Sequence, residues 1–222
     1  MKAFYAAYLA VLGLVVATIA ITPLLALHGP KDAAGALYNA YVPTCHQWIY
    51  RSSCVFFDGK NHRIGDCIEN GKDANIATEF TDASRKWDGT FRYSRDQIGV
   101  NRAERVQYAG TNEVGYKFPN DTRNIGIYLF MLLAGIALPF KWKNPVMPRF
   151  IVFVAGILPL AIDGGGQMLG LWESTNLIRF VTGALTGITL SVVVYALVYE
   201  KFSQKISRHC NERSELQYNK KR

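Results

Sequence analysis

The stretch AIDGGGQMLGLWESTNLIRFVTGALTG, residues 161–187, places five polar side chains inside or beside two long apolar runs. Charged and amide groups are costly in hydrocarbon, so they usually face a bundle interior, a partner or a water-filled pocket. The stretch therefore predicts two packed membrane helices that carry a polar site between them. The five side chains are Asp163, Gln167, Glu173, Asn176 and Arg179.

The apolar residues of the chain are concentrated in four blocks. Half of the 222 residues are apolar, and the blocks cover residues 3–27, 125–140, 150–171 and 177–199. A hydrocarbon core about 30 Å thick needs roughly 20 helical residues. The second block is shorter, but Lys141, Trp142 and Lys143 follow it as interface anchors. We therefore predict four transmembrane helices, the first of them a signal anchor because its apolar run exceeds a signal-peptide core.

Basic residues are distributed unevenly along the chain. Residues 28–123 carry 13 Lys and Arg against 12 Asp and Glu, whereas the remainder carries 12 against 5, within a net charge of +8. The excess lies at Lys2, in the loop 141–149 and after residue 199. Cytoplasmic loops carry this bias, so we expect a cell-membrane protein with cytoplasmic N- and C-termini. Topology and contact with anionic lipid explain the surplus, and no nucleic-acid partner is predicted.

The predicted fold is a mostly α membrane protein with four transmembrane helices and an extracytoplasmic α+β cap between helices 1 and 2. Residues 1–27 form the first helix, 28–123 the cap, 124–199 helices 2–4, and 200–222 a basic cytoplasmic tail. Strand and turn signals fill the cap, since Val55-Phe56-Phe57 precedes a turn sequence. The predicted turns are Asp58-Gly59, Asn70-Gly71, Asp88-Gly89 and Gly110-Thr111-Asn112.

Three of the four cysteines lie in the cap. Cys45, Cys54 and Cys67 allow one intramolecular disulfide with one thiol left over, while Cys210 lies in the tail. We prefer Cys54–Cys67 because Cys45 belongs to a more motif-like stretch. Spacing alone leaves the other pairings open.

Zinc is a minor alternative for the cap. Cys45, His46, His62, Cys67 and Asp121 include acceptable zinc ligands, but neither a CxxC nor an HExxH spacing occurs. No metal site is therefore predicted, and the cofactor, if any, is unknown.

Two interpretations fit the polar stretch. The turn between the last two helices is short, so Asp163 and Arg179 fall at similar depth and are predicted to form an ion pair. Either Asp163, Gln167, Asn176 and Arg179 form a buried network that fixes helix packing, or they line an outward-facing pocket for a polar head group, an ion or a reactive lipid. The number of polar groups exceeds what one helix pair needs, which favours the pocket.

Small residues mark the same two helices. Gly183 and Gly187, four residues apart, predict a stripe of close helix packing. The run Gly164-Gly165-Gly166 predicts either a close helix contact or a local break in the helix.

Ordered motifs extend over most of the chain. They are Cys45-His46-Gln47 with Arg51-Ser52; Gly115-Tyr116-Lys117-Phe118-Pro119 with Arg123 and Gly126-Ile127-Tyr128; and Leu158 to Gly164 with Gln167, Gly170, Glu173-Ser174-Thr175-Asn176, Arg179 and Thr182-Gly183. Together they resemble an uncharacterised, largely archaeal family of small prokaryotic membrane proteins known as a domain of unknown function. The resemblance implies a multi-helix membrane protein and brings no established activity.

The resemblance also points to a candidate cap site of Cys45, His46, Gln47, Arg51 and Arg123. Family members carry Cys-x-Arg before the second helix, where this chain has Asp-Thr-Arg at residues 121–123. The obvious partner thiol for a disulfide exchange at Cys45 is therefore missing. A structural or metal-ligand role for this corner stays open, because carboxylate can replace thiolate at some metals.

Two functions from different classes remain. One is a non-catalytic accessory subunit of a larger membrane assembly, favoured by the chain's size, its aromatic-rich cap and the absence of Walker, GxSxG and CxxCH motifs. The other is a membrane-embedded enzyme or binding protein for a lipid-linked or small polar ligand at the outer leaflet. There Asp163 or Glu173 would handle protons, and Arg179 with His46 would hold an anionic group. A stand-alone transporter is a third and weaker possibility.

Overall fold

The computed structural model describes residues 2–41, 49–69, 74–78, 83–86 and 104–219. The helices of these ranges are α1 (Lys2–His28), α2 (Lys31–Tyr41), α3 (Thr122–Lys141), α4 (Phe150–Met168) and α5 (Asn176–Asn219), with a single 3₁₀ turn at Ile49–Arg51. The strands are β1 (Ser53–Phe57), β2 (His62–Asp66), β3 (Ala74–Thr78), β4 (Ala83–Lys86), β5 (Arg105–Tyr108) and β6 (Val114–Lys117).

Four helices in the described part of the chain are long and apolar enough to cross a membrane. The apolar spans are Ala3–His28, Thr122–Lys141, Phe150–Met168 and Asn176–Lys201. Large apolar side chains remain on their outer surfaces, as at Phe150, which is 78% exposed. The predicted mostly helical fold with four such helices is confirmed, and the strands lie between α2 and α3.

Helix α5 is much longer than its apolar block. It continues without interruption from Asn176 to Asn219, a length of 44 residues. At 1.5 Å per residue the helix is roughly 66 Å long, about twice the thickness of a hydrocarbon core. The basic tail, which the sequence separated at residue 200, is therefore a direct extension of the last membrane helix.

The six strands form one antiparallel sheet in the order β2-β1-β6-β5-β3-β4. The β1–β2 turn follows the prediction at Asp58-Gly59, because the Asp58 carboxylate accepts the backbone N–H groups of Asn61 and Lys60 at 2.7 and 2.8 Å. These two bonds lower the pKa of this exposed carboxyl. Gly59 and Gly110 adopt φ values of +95° and +76°, which favour glycine, and the turn at Gly110 is likewise confirmed. The turns predicted at residues 70–71 and 88–89 lie outside the described residues.

One face of the sheet forms a small core of its own. Phe56 and Val106 are fully buried, and Gly115 on β6 leaves the space that the Phe56 ring occupies. The core also contains a disulfide between Cys54 on β1 and Cys67 just after β2. Both cysteines are fully buried, so the disulfide ties the edge hairpin to the core.

The sheet also packs on the helices that precede it. Tyr38 of α2 donates its hydroxyl to the Lys117 carbonyl at 2.5 Å, and Ala26, Ala34 and Tyr116 are buried around the Tyr38 ring. The sheet is therefore held against the end of α1 rather than on a free linker.

Glycines bring α3 and α5 into direct backbone contact. A methyl group at Gly183 would collide with the Arg123 carbonyl, and one at Gly187 would collide with the Ile127 carbonyl. This confirms the stripe of close packing predicted for α5. Helix α4 continues through Gly164-Gly165-Gly166 without a break, and Gly166 lies against the Trp172 ring of the following loop.

Candidate functional site

Polar side chains converge where the sheet meets the ends of α3, α4 and α5. We call this set the polar junction, and it combines residues from three helices, one loop and the sheet. Its members are Arg51, Asp66, Arg123, Asp163, Gln167, Glu173, Asn176 and Arg179.

Arg179 is the most buried charge of the polar junction. It lies in the first turn of α5 and is 2% exposed. Its Nη2 donates to Gln167 Oε1 at 3.1 Å and to Glu173 Oε1 at 2.5 Å, while Nη1 donates to Asn176 Oδ1 at 3.2 Å. Glu173 also lies 3.5 Å from Arg51 Nη2. One guanidinium thus joins α4, the α4–α5 loop and α5, and Glu173 extends the network to the 3₁₀ turn.

Asp163 pairs with Arg123, and the ion pair predicted between Asp163 and Arg179 is wrong. Arg123 Nη2 donates to Asp163 Oδ2, and Gln167 Nε2 donates to the Asp163 carbonyl at 3.1 Å. The glycine contact between α3 and α5 brings the first turn of α3 to this level. Gly164 then leaves room for the Arg123 guanidinium, whose Nη1 lies 3.2 Å from where a Cβ would stand. Arg179 instead donates to Gln167 of α4, Glu173 of the loop and Asn176 of α5.

Asn176 connects the helices to the sheet. Its Nδ2 donates to Asp66 Oδ1 at 2.9 Å and to the Ser52 carbonyl at 3.3 Å. A second link lies beside it, where the Ser53 and Thr122 hydroxyls are 3.0 Å apart. Asp66 is not among the predicted site residues, because nothing in its local pattern distinguishes it from other strand-end residues, and Ser52 appears only within the Arg51-Ser52 motif.

Opposite charges balance within the polar junction. The polar junction contains three arginines and three carboxylates: Arg123 pairs with Asp163, Arg51 and Arg179 pair with Glu173, and the Asp66 carboxylate accepts from Asn176. The Nε atoms of Arg123 and Arg179 are buried and have no hydrogen-bond partner among the described residues. Pairing of this kind allows charge to be buried at a membrane boundary, although incomplete hydrogen bonding reduces the net stabilisation.

The candidate cap site is only partly visible in the structure. Cys45, His46 and Gln47 lie outside the described residues. Arg51 and Arg123 both belong to the polar junction, where each contacts a carboxylate of the predicted intramembrane set. The two residue sets that the sequence suggested separately therefore meet in one cluster at these two arginines.

The described residues of the alternative zinc site do not come together as metal ligands. Cys67 forms the disulfide and has no thiolate to offer, while His62 Nε2 lies 2.8 Å from His28 Nε2. Within the described ranges no three His, Cys, Asp or Glu side chains are grouped closely enough to hold a metal ion.

Four apolar helices, with a small antiparallel sheet hydrogen-bonded to their ends, define this chain as a membrane protein of the multi-helix class. It belongs to the family described as "Predicted membrane protein (DUF2085)", whose model matches residues 113–193. The match contains α3, α4 and residues 176–193 of the membrane span of α5, and it includes Arg123, Asp163 and Arg179. The family resemblance drawn from the motifs is confirmed.

Two archaeal proteins are similar to this chain. One, "Uncharacterized protein MJ1492" of Methanocaldococcus jannaschii, is 33% identical over 94 residues, covering 40% of this chain and 60% of that protein. The other, an uncharacterized protein of Methanothermobacter thermautotrophicus, is 35% identical over 86 residues, covering 37% of this chain and 75% of that protein. The chain thus spans less than two thirds of the first relative. No solved structure matches it.

Proposed function

We propose that this chain is a non-catalytic accessory subunit of a larger membrane assembly. Its helices hold the sheet domain rigidly at the extracytoplasmic surface of the cell membrane, and both termini are cytoplasmic. The observation that carries the proposal is the polar junction, because it ties three membrane helices to the sheet through internal hydrogen bonds and ion pairs.

The pairing of its acids favours this function over catalysis. Asp163 is bonded to Arg123, and Glu173 is bonded to Arg179 with Arg51 nearby. A proton carrier presents a carboxylate to its substrate, whereas Asp163 Oδ2 and Glu173 Oε1 each contact a guanidinium group, which keeps both acids ionised. The membrane-embedded enzyme is therefore the second candidate.

The orientation is supported by charge. The sheet lies at the ends of the helices where α1 finishes and α3 begins, and the opposite ends carry Lys141, Lys143 and Arg149. Positive residues favour the cytoplasmic side, which leaves the nearly neutral sheet domain outside.

Labelling of single cysteines in intact cells tests the orientation. Asn112 is exposed in the β5–β6 turn, and the tail carries the native Cys210. In a Cys45→Ser background, we expect a membrane-impermeant maleimide to label Asn112→Cys in intact cells and Cys210 only after lysis. The matched control is the Cys45→Ser chain without the new cysteine. The reverse pattern would place the sheet domain in the cytoplasm and overturn the proposed orientation.

Purification from native membranes in a mild detergent tests the subunit role. We expect native mass spectrometry to show the chain in a defined complex with at least one different membrane protein, in constant stoichiometry. The Arg179→Met variant should weaken that complex, because Asn176, which bonds to the sheet, loses the guanidinium that positions it. A chain found only as a monomer or only with copies of itself would contradict the accessory role.

A further inference from the structure

An open groove lies beside the polar junction, between the sheet and the first turns of α3 and α5. Its volume is about 390 Å³, within the range of roughly 300–1,000 Å³ typical of small-molecule sites. Thr122 and Asn176 line it, and each is the first residue of an apolar span. The groove is therefore located where the apolar spans begin, at the level of the membrane interface.

The helix side of the groove is apolar and continuous with the lipid-facing surface. Leu177 and Phe180 of α5 line it together with Ile125 of α3. Leu177 is 72% exposed and the neighbouring Ile178, outside the groove, is 48% exposed. An apolar wall that opens sideways onto lipid-facing residues suits a hydrocarbon chain better than a water-soluble ligand.

The sheet side of the groove combines the apolar side chains of Ile64 and Phe118 with one carboxylate, that of Asp66. Asp66 lines it at the end of β2, with its carboxylate oriented by the 2.9 Å bond from Asn176. The hydroxyls of Ser53 and Thr122 lie next to it and bond to one another. The described residues that line the groove include neither arginine nor lysine. Asp66 is the only charged side chain among these described lining residues, and direct contact with its carboxylate favours a cationic head group over an anionic one.

We propose that the groove binds a single amphiphile with a hydrocarbon chain and an amine head group. The chain lies along Leu177, Phe180 and Ile125, and the ammonium group contacts the Asp66 carboxylate. The volume of about 390 Å³ suits one small amphiphile. This binding site differs from the anion-holding pocket suggested by the sequence, because Arg179 is already bonded inside the polar junction. It does not depend on the accessory role.

The test uses the full-length protein in an uncharged detergent, titrated with dodecylamine and read by native mass spectrometry. An alkyl amine is protonated at neutral pH, as a lysine side chain is. We expect one bound dodecylamine per chain and an affinity about tenfold higher than for dodecyl phosphate, because Asp66 attracts the first and repels the second. Butylamine should bind far more weakly, since it lacks the chain. Equal binding of dodecylamine and dodecyl phosphate would overturn the proposal.

Two matched tryptophan variants locate the bound chain. Leu177→Trp fills the groove and should lower dodecylamine affinity about tenfold, a loss comparable to that of one well-buried apolar contact. Ile178→Trp adds the same side chain at the next position, outside the groove, and should leave the affinity unchanged. Equal losses in both variants would show nonspecific adsorption and contradict the site.

Asp66→Asn tests the head-group contact independently of the helix surface. Asparagine keeps an oxygen that can accept from Asn176, so the link between the sheet and α5 is preserved. The preference for dodecylamine over dodecyl phosphate should disappear, while thermal unfolding of the variant should match that of the wild type. A preference that persists in Asp66→Asn, as in the wild type, would exclude Asp66 as the determinant and overturn the proposal.

Discussion

Arg179→Met is expected to lower the free energy of unfolding by about 3 kcal/mol, which is a large part of the stability of a typical domain. The variant removes the donor shared by Gln167, Glu173 and Asn176. The value lies at the lower end of the range for breaking a buried pair, because the Glu173 side chain is 44% exposed and can be hydrated. Unfolding by a denaturing detergent in mixed micelles measures the change.

Glu173→Gln is the matched control for this variant. It leaves an oxygen that can accept from Arg179 and changes only the half-exposed carboxylate. We therefore expect a loss of about 1 kcal/mol or less. If Arg179→Met were no less stable than Glu173→Gln, Arg179 would not be the central donor of the polar junction.

Gly183→Ala is expected to destabilise the bundle by about 1–3 kcal/mol, the usual cost of overpacking a tight interface. The added methyl group collides with the backbone carbonyl of Arg123, which cannot rotate away as a side chain can. Helix α3 must therefore move from α5, and the Arg123–Asp163 pair moves with it. The same unfolding titration measures the loss.

Gly165→Ala supplies the contrast on the neighbouring helix. A methyl group at Gly165 meets no atom within 4 Å, and alanine favours helix by about 1 kcal/mol relative to glycine in water. This variant should be as stable as the wild type or slightly more stable. Equal destabilisation of Gly183→Ala and Gly165→Ala would show a general effect of helix glycines rather than a contact at Gly183.

The membrane helices were predictable from sequence because length and apolarity alone decide them. A run of about 20 apolar residues satisfies every backbone group within its own helix, whatever it packs against. The turns at Asp58 and Gly110 were predictable for a similar reason, since the required backbone conformation is local. The length of α5 was not predictable in this way. The apolar block ends at residue 199, and the polar residues after it carry no hydrophobic pattern that predicts a continuing helix.

The partners inside the polar junction were not predictable in the same way. Depth along the helices correctly grouped Asp163 with Arg179, but depth does not determine which arginine reaches the carboxylate. Arg123 is 40 positions from Asp163 in the chain and was assigned to the cap. Its reach depends on the approach of α3 to α5 at Gly183 and on the space at Gly164. Asp66 lies 110 positions from Asn176 in the chain. The hydrogen bond between them depends on the register of the sheet, which places the end of β2 beside α5.

A double-mutant cycle on Arg123 and Asp163 tests most directly whether the ion pair between α3 and α4 makes the polar junction a structural network that fixes helix packing. Arg123→Met and Asp163→Leu should each lower the free energy of unfolding by about 3 kcal/mol, because each leaves one poorly solvated charge. The double variant leaves neither charge and should recover most of that loss. Additive losses in the double variant, or single variants as stable as the wild type, would contradict the account.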